Sequence, residues 1–362
     1  MVKSAAFMAM VLVLVLSYQA DCGQKPSSME PIPSLIQSIR FPEDIVFCGT
    51  RIPLEDPQVK AMLEKEMLLA LWDRPQVILW MKRAAKFFPH IQQILAREQV
   101  PDDLKYVPVI ESALRPHARS SANAVGYWQF LKGTGQRYGL RIDAHVDERR
   151  NIFKSTEAAS RYLKKLFAEF NSFLLALSAY NMGEHGLDVE IDIQQTRNFF
   201  DLYLPLETQQ YIYKIIAAKL ILENPEKYGF DLEPSDLYPV FTFSQLNLSS
   251  DEQLPLVLIA EAADISFKTL KTMNPDIRGY YLSSGRTTLL VPRGHEKDFP
   301  RRFADLHEQW QTRVHKQFHI VKPGESLISI AKNYNISLAS LLRVNKISLN
   351  TVIHPGDRLV IK

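Results

Sequence analysis

The sequence predicts a mainly α-helical protein that ends in small βααβ modules of the α+β kind. Three observations predict it. Apolar residues recur at helical spacing from residue 57 to about residue 222. After Tyr228-Gly229, short β-branched and aromatic runs alternate with short helical stretches. Two of those stretches are copies, IAEAADISFKTLKTMNP from Ile259 lying over IAKNYNISLASLLRVNK from Ile330. Ile265 pairs with Ile336, Ser266 with Ser337, Leu270 with Leu341 and Asn274 with Asn345, all at one constant offset.

A chain of 362 residues that is 46% apolar can bury a sizeable core, and its length predicts two or three domains. The net charge of +3, from 43 basic and 40 acidic residues, leaves no footprint for nucleic acid. The nine His are scattered and the two Cys form no metal-binding motif, so no metal and no other cofactor is expected.

In chain order, Lys3 precedes the apolar run Ala5 to Leu16, too short for the ~20 residues that cross a bilayer. Residues 1–20 therefore read as a signal peptide with Ala20 as the cleavage point, and the protein is expected in the periplasm or cell envelope. Cys22 and Cys48 form one disulfide or stay as thiols in this reading. The alternative is a lipid anchor at Cys22, against which the preceding Asp21 counts, and membrane contact is expected only through that lipid.

Residues 21–56, rich in Pro and Ser, read as an arm or linker. Asp56-Pro57 opens the helical domain, 57–230, as N-cap and first helical residue. A second helix start at Asp73-Arg74-Pro75 runs to a stop at Phe87-Phe88-Pro89. Thr156 to Ala179 carries a helical apolar face that becomes apolar all round, then ends at Gly183. The run Asp147 to Asn151 reads as a salt-bridged surface turn. Pro239 to Phe243 and Thr287 to Val291 bound the first module, 231–295, with strands. Residues 296–316 are charged and read as a linker. The last module, 317–362, has strands at Phe318–Val321 and Arg358–Ile361 around helices Ser326–Tyr334 and Leu338–Val344.

The chemistry concentrates between Val107 and Leu140. Glu111 is one carboxylate inside an apolar run, and Pro116 places it in a last helical turn, where the negative dipole end favours the neutral acid. At a pKa of about 4.3, protonating a Glu at pH 7 costs about 3.7 kcal/mol. At ~6, where apolar enclosure holds the lysozyme acid, the cost falls to about 1.4 kcal/mol. Aromatics beside an amide follow at Tyr127-Trp128-Gln129-Phe130, with Trp128 and Phe130 open between core and groove.

Four separated motifs carry a resemblance. Glu111-Ser112, Gly126-Tyr127-Trp128-Gln129-Phe130, Ala179-Tyr180-Asn181 and Tyr211 in LETQQYIYK occur in the order found in soluble-type lytic transglycosylases, glycoside hydrolase family 23. Within that family the chain looks most like the membrane-bound D group, and the match covers about residues 77–228. The C-terminal copy resembles a LysM peptidoglycan-binding domain almost end to end, and the first copy a degenerate one.

The resemblance implies a lysozyme-like catalytic domain acting on peptidoglycan glycan strands. Glu111 would protonate the bond leaving muramic acid, then accept the C6 hydroxyl proton as a 1,6-anhydro ring closes. No second carboxylate is apparent in the motifs, which fits a reaction that consumes no water. By the same resemblance, Ser112 would orient Glu111 or touch sugar, and Gln129 and Asn181 would bond acetamido or hydroxyl groups. Tyr180 and Tyr211 would line the cleft, with Gly126 and Tyr127 also on the substrate side. Gly324, Glu325, Ser326 and Asn345 would grip N-acetylglucosamine in the LysM copy. Two departures stand out: His185 occupies a usual Gly position and Gln209 a usual Arg position. A goose-type lysozyme using water, or a non-enzymatic wall-binding protein, are the competing readings.

Overall fold

The computed structural model describes residues 34–316 and 318–361, so the expected signal peptide and Cys22 lie outside the described residues. After a short helix, α1 (Leu35–Ser38), and a two-residue hairpin, β1 (Val46–Phe47) with β2 (Thr50–Arg51), the helical part begins. It comprises α2 (Pro57–Trp72), α3 (Arg74–Arg97), α4 (Val107–Ser112), α5 (Lys132–Arg137), α6 (Ile152–Phe170), α7 (Phe173–Met182), α8 (Glu184–Gln194) and α9 (Leu206–Glu223). Asp56 caps α2 as the sequence predicts, its carboxylate accepting from the backbone N–H of Gln58 at 2.7 Å. One apolar core joins these helices, from Ile45 to Phe230. α7, apolar from Phe173 to Leu177, contributes Leu175, Ala176, Leu177 and Ala179 to it, all fully buried.

Two helix boundaries differ from expectation. Asn171 in a left-handed conformation and the Ser172 N-cap divide the predicted Thr156–Ala179 helix into α6 and α7. The predicted stop at Pro89 does not occur, and α3 continues through it to Arg97. Proline removes one N–H from the helix ladder, and burial of Phe87, Ile91, Ile94 and Leu95 outweighs that loss.

The segment Pro239–Phe243, expected as a strand, joins no sheet. It lies against α3, where Phe241 donates its N–H to Lys86 O and its carbonyl meets His90 Nε2 at 2.6 Å. Its Phe241 and Phe243 rings pack on Phe153, so aromatic burial replaces sheet pairing here.

The first repeat builds β3 (Ser244–Ser250), β4 (Leu254–Pro255), α10 (Leu256–Ala262), α11 (Phe267–Met273), β5 (Tyr281–Leu282) and β6 (Gly285–Val291), with the short antiparallel pair β4 and β5 enclosing the two helices. β3 and β6 pair antiparallel from Ser244↔Val291 to Ser250↔Gly285. The second repeat builds β7 (Phe318–Ile320), α13 (Leu327–Asn333), α14 (Leu338–Asn345) and β8 (Arg358–Val360), again an antiparallel pair around two helices. Between them, residues 299–316 form a helix, α12 (Phe299–Lys316). It is no bare linker, because Phe299 is buried in the apolar cluster of the first repeat and Phe303, Leu306 and Trp310 pack against it.

The two copies share one internal pin. Asn274 donates Nδ2 to Leu270 O and Leu290 O and accepts from Leu290 N–H at 2.7 Å. Asn345 makes the same three bonds to Leu341 O, Val360 O and Val360 N–H. A side-chain amide thus ties the second helix to the closing strand in each module.

The first repeat is docked on the helical part. Asp147 N–H donates to Asp276 O, Arg278 N–H donates to His145 O, and Val146 joins the apolar cluster of the repeat. Asn274→Ala leaves backbone groups of Leu270 and Leu290 without these partners, at an expected cost of about 2–3 kcal/mol in urea denaturation of the whole chain.

Candidate active site

Glu111 sits in the last turn of α4, as its sequence position implies. The helix does not wait for Pro116 to end. Ala113 and Leu114 turn out of it in two consecutive left-handed conformations, φ +50° and +56°. Each such non-glycine residue stores about 1–2 kcal/mol, so backbone strain lies directly beside the acid. The core repays it by burying both Ala113 and Leu114.

The Glu111 carboxyl is pushed up to about 7 by desolvation. A bond from Tyr211 works against that shift, and the charge of Glu207 adds to it. Tyr211 Oη donates to Glu111 Oε1 at 2.6 Å from α9, and Tyr211 itself is buried. Glu207, one turn earlier on α9 and exposed, is a carboxylate that sequence reasoning overlooked, although it stands in the same LETQQYIYK motif. Its i, i+4 spacing from Tyr211 was the available signal.

A cleft of about 420 Å³ lies alongside, lined by Gln129, Tyr180 and Asn181 together with Tyr162, Arg137 and Glu184. Tyr180 donates to Trp128 O at 2.6 Å, and the nearby Glu111 charge and burial hold its hydroxyl far from ionising. Asn181 Oδ1 accepts from Thr208 Oγ1 at 2.9 Å, joining the third motif to α9. Gln129, at φ +48°, donates Nε2 to Gly126 O at 2.8 Å and to Ala118 O at 3.2 Å. Tyr162, Arg137 and Glu184 had no sequence signal beyond helix periodicity; the packing of α5, α6 and α8 brings them to the cleft.

Three expected substrate residues stand behind the site instead. Ser112 is buried, and its hydroxyl donates to Pro108 O and Tyr127 O rather than reaching Glu111 or a sugar. The Tyr127 ring is buried edge-on against Phe87, where burial pushes its hydroxyl up. Gly126, at φ +87°, has its backbone against Arg149, where a Cβ would fall 1.9 Å from Arg149 O. Trp128 resolves as core, fully buried with Nε1 donating to Thr156 Oγ1 at 2.9 Å. His185 is exposed in the first turn of α8 with no positive φ, so its Cβ meets no backbone restriction.

The expected surface turn 147–151 is a buried node. Arg149 pairs with Asp147 through two bonds of 2.8 Å and donates to Phe130 O and Asn123 O. A short charged run gave no sign of burial, because the carbonyls that Arg149 reaches lie in another segment.

In the C-terminal module, Gly324 makes the exposed turn and Ser326 caps α13, while Asn345 is the pin described above. The Glu325 carboxylate is held by His319 Nε2 and the Lys322 N–H, which keep it below its ordinary pKa. Both bonds fall on Glu325 Oε2 and leave Oε1 to a ligand, whereas glycan contact through Asn345 would require giving up an internal bond. Cys48 has no disulfide partner among the described residues; burial pushes its thiol up, and its N–H donates to Asp103 Oδ2.

A semi-buried acid at a strained helix end, tyrosines on both sides and a polar cleft beside them form the candidate active site. Residues 89–202 match the transglycosylase SLT domain family and residues 319–362 the LysM domain family. It is similar to membrane-bound lytic murein transglycosylase D of Escherichia coli strain K12, 32% identical over 293 residues. That match takes in 77% of this chain and 64% of the relative, so the chain spans less than two thirds of the relative's length. Among solved structures, the 70 kDa soluble lytic transglycosylase Slt70 of E. coli overlaps at 15% identity and TM-score 0.36, over 50% of this chain and 31% of that one. Slt of Pseudomonas aeruginosa overlaps at 18% and 0.33, over 42% and 26%.

Gly126→Ala forces a Cβ into backbone and a disfavoured φ, and a loss of about 3 kcal/mol or more is expected in thermal unfolding. Glu111 makes a second, pH-dependent prediction. Its folded pKa lies above the unfolded value of 4.5, so the fold binds the proton more tightly and loses stability as pH rises from about 4.5 to 7. Glu111→Gln should remove that slope, melting like wild type below pH 4.5 and higher than wild type at pH 8.

Proposed function

We propose that the chain is an exported lytic transglycosylase. It cleaves the β-1,4 bond from N-acetylmuramic acid to N-acetylglucosamine in peptidoglycan and leaves 1,6-anhydro ends. Residues 57–230 act as the catalytic domain, 231–295 as a degenerate LysM-like module and 317–362 as the glycan-binding LysM domain. The observation that carries the reading is the Glu111 carboxyl, pushed up to about 7 and bonded by Tyr211. At that pKa, half of the molecules hold the proton at pH 7 at no further free-energy cost, against about 3.7 kcal/mol for an ordinary Glu.

Glu111 donates its proton to the departing oxygen and, once ionised, is positioned to take one from the C6 hydroxyl. Tyr211 favours the ionised form and so eases the first step, in which the proton leaves Glu111. The substrate acetamido group supports the developing positive centre. Asn181 and Gln129 offer amides to the glycan, and Tyr180 offers a ring face. Desolvation keeps the acid protonated, and the charge of Glu207, exposed on α9, adds to it. Export and envelope location rest on the N-terminal sequence and on likeness to an enzyme named as membrane-bound. Among the described residues no helix is long and apolar enough to cross a membrane.

The test is mass spectrometry of muropeptides released from purified sacculi. Anhydro ends are expected, reducing ends would favour the lysozyme reading, and no release would favour a wall-binding protein. Glu111→Gln should lower release at least 100-fold, in the range of one general acid's contribution. Tyr211→Phe removes the bond that lowers the Glu111 pKa. The alkaline limb of its activity profile, near pH 7 in wild type, should therefore move to higher pH.

A further inference from the structure

A cavity of about 510 Å³ lies where the first repeat docks on the helical part, apart from the cleft beside Glu111. Its wall from the helical part carries Arg141, Glu148 and Lys154, and its wall from the repeat carries Asp276, Arg286 and the polar residues of β3 and β6. Asp276 is 5% exposed, and its carboxylate lacks donors: Asn151 Nδ2 reaches Oδ2 at 3.3 Å, while Oδ1 has no partner. A buried carboxylate oxygen left unpaired costs free energy that an incoming donor recovers. Burial pushes the Asp276 carboxyl up, in keeping with that shortage. On the rim, Arg286 is exposed and has no ion-pair partner among the described residues, whereas Lys154 is paired with Glu148 and Arg141 with Asp143.

We propose that this cavity binds a short peptide bearing both free carboxylates and an amine, the chemistry of the peptide stems on peptidoglycan strands. The proposal rests on the transglycosylase reading for its substrate. Arg286 takes a peptide carboxylate, and Asp276 receives the amine. The unpartnered acceptor of Asp276 favours a ligand that brings a donor over phosphate, which offers mainly acceptors, and the polar sheet face disfavours an apolar ligand. The site spans both units, so it reads a peptide only while the repeat is docked. The docked repeat then adds peptide selection beside a glycan-cleaving domain.

Calorimetry on the whole chain tests this. The probes are a synthetic acidic tetrapeptide with one free side-chain amine, the same peptide with that amine acetylated, and inorganic phosphate. Saturable binding of the free-amine peptide is expected, weakened about tenfold by Arg286→Ala and about tenfold by acetylation, the size of a lost charged hydrogen bond. Asp276→Asn should bind both peptides alike. If Asp276→Asn fails to fold, the exposed Arg286→Ala and the acetylated peptide still decide. Absent binding, equal affinity for all pairs, or displacement by equimolar phosphate would overturn the proposal. Anhydro-end release from peptide-free glycan tests the enzymatic reading separately, so failure of either is distinguishable from failure of the other.

Discussion

The buried pair Asp147–Arg149 holds the two halves of this molecule in register. Arg149 is tied to Asp147 by two bonds and spends its remaining donors on the carbonyls of Phe130 and Asn123, which bracket the second motif. Its own carbonyl is the surface that Gly126 approaches. A buried pair of this kind is weak evidence for stability, since desolvation offsets most of its attraction. Its value here is positional. Arg149 fixes the loop from which Trp128 O receives Tyr180, while Asp147 N–H fixes Asp276 of the following module. Groove and docked repeat thus hang on one five-residue segment.

The site depends on opposing influences on one carboxyl. Desolvation raises Glu111, Tyr211 restrains it, and the exposed Glu207 pushes in the same direction as desolvation. The opposition suits the acid-then-base role proposed for Glu111. The strained exit at Ala113 and Leu114 holds the carboxyl at the helix end, and Ser112 anchors that exit to Tyr127 O.

The repeats show the same sequence element used for two ends. The amide pins of Asn274 and Asn345 are alike bond for bond, so the modules close in the same way. Their surroundings differ. The loop after Asn274 is taken up by His145 and Asp147, whereas Ser348, Leu349 and Asn350 after Asn345 are exposed. Docking has committed one copy to the helical part and left the other open.

The sequence by itself determined the helices and the repeat and singled out Glu111 as an acid in an apolar run, all local or one-dimensional signals. That Gln129, Tyr180, Asn181 and Tyr211 belong with Glu111 was implied by the family resemblance alone. Only the tertiary structure decided which motif residues face the cleft. Ser112, Gly126 and Tyr127 belong to the motifs, yet their partners are Pro108, Arg149 and Phe87, contacts no local pattern encodes. The same reason hid the burial of Asp147 and Arg149, the continuation of α3 through Pro89 and the nearness of Glu207 to Glu111. Each depends on what another segment supplies at that place: a carbonyl for Arg149, an apolar core for α3, and a desolvated acid beside Glu207.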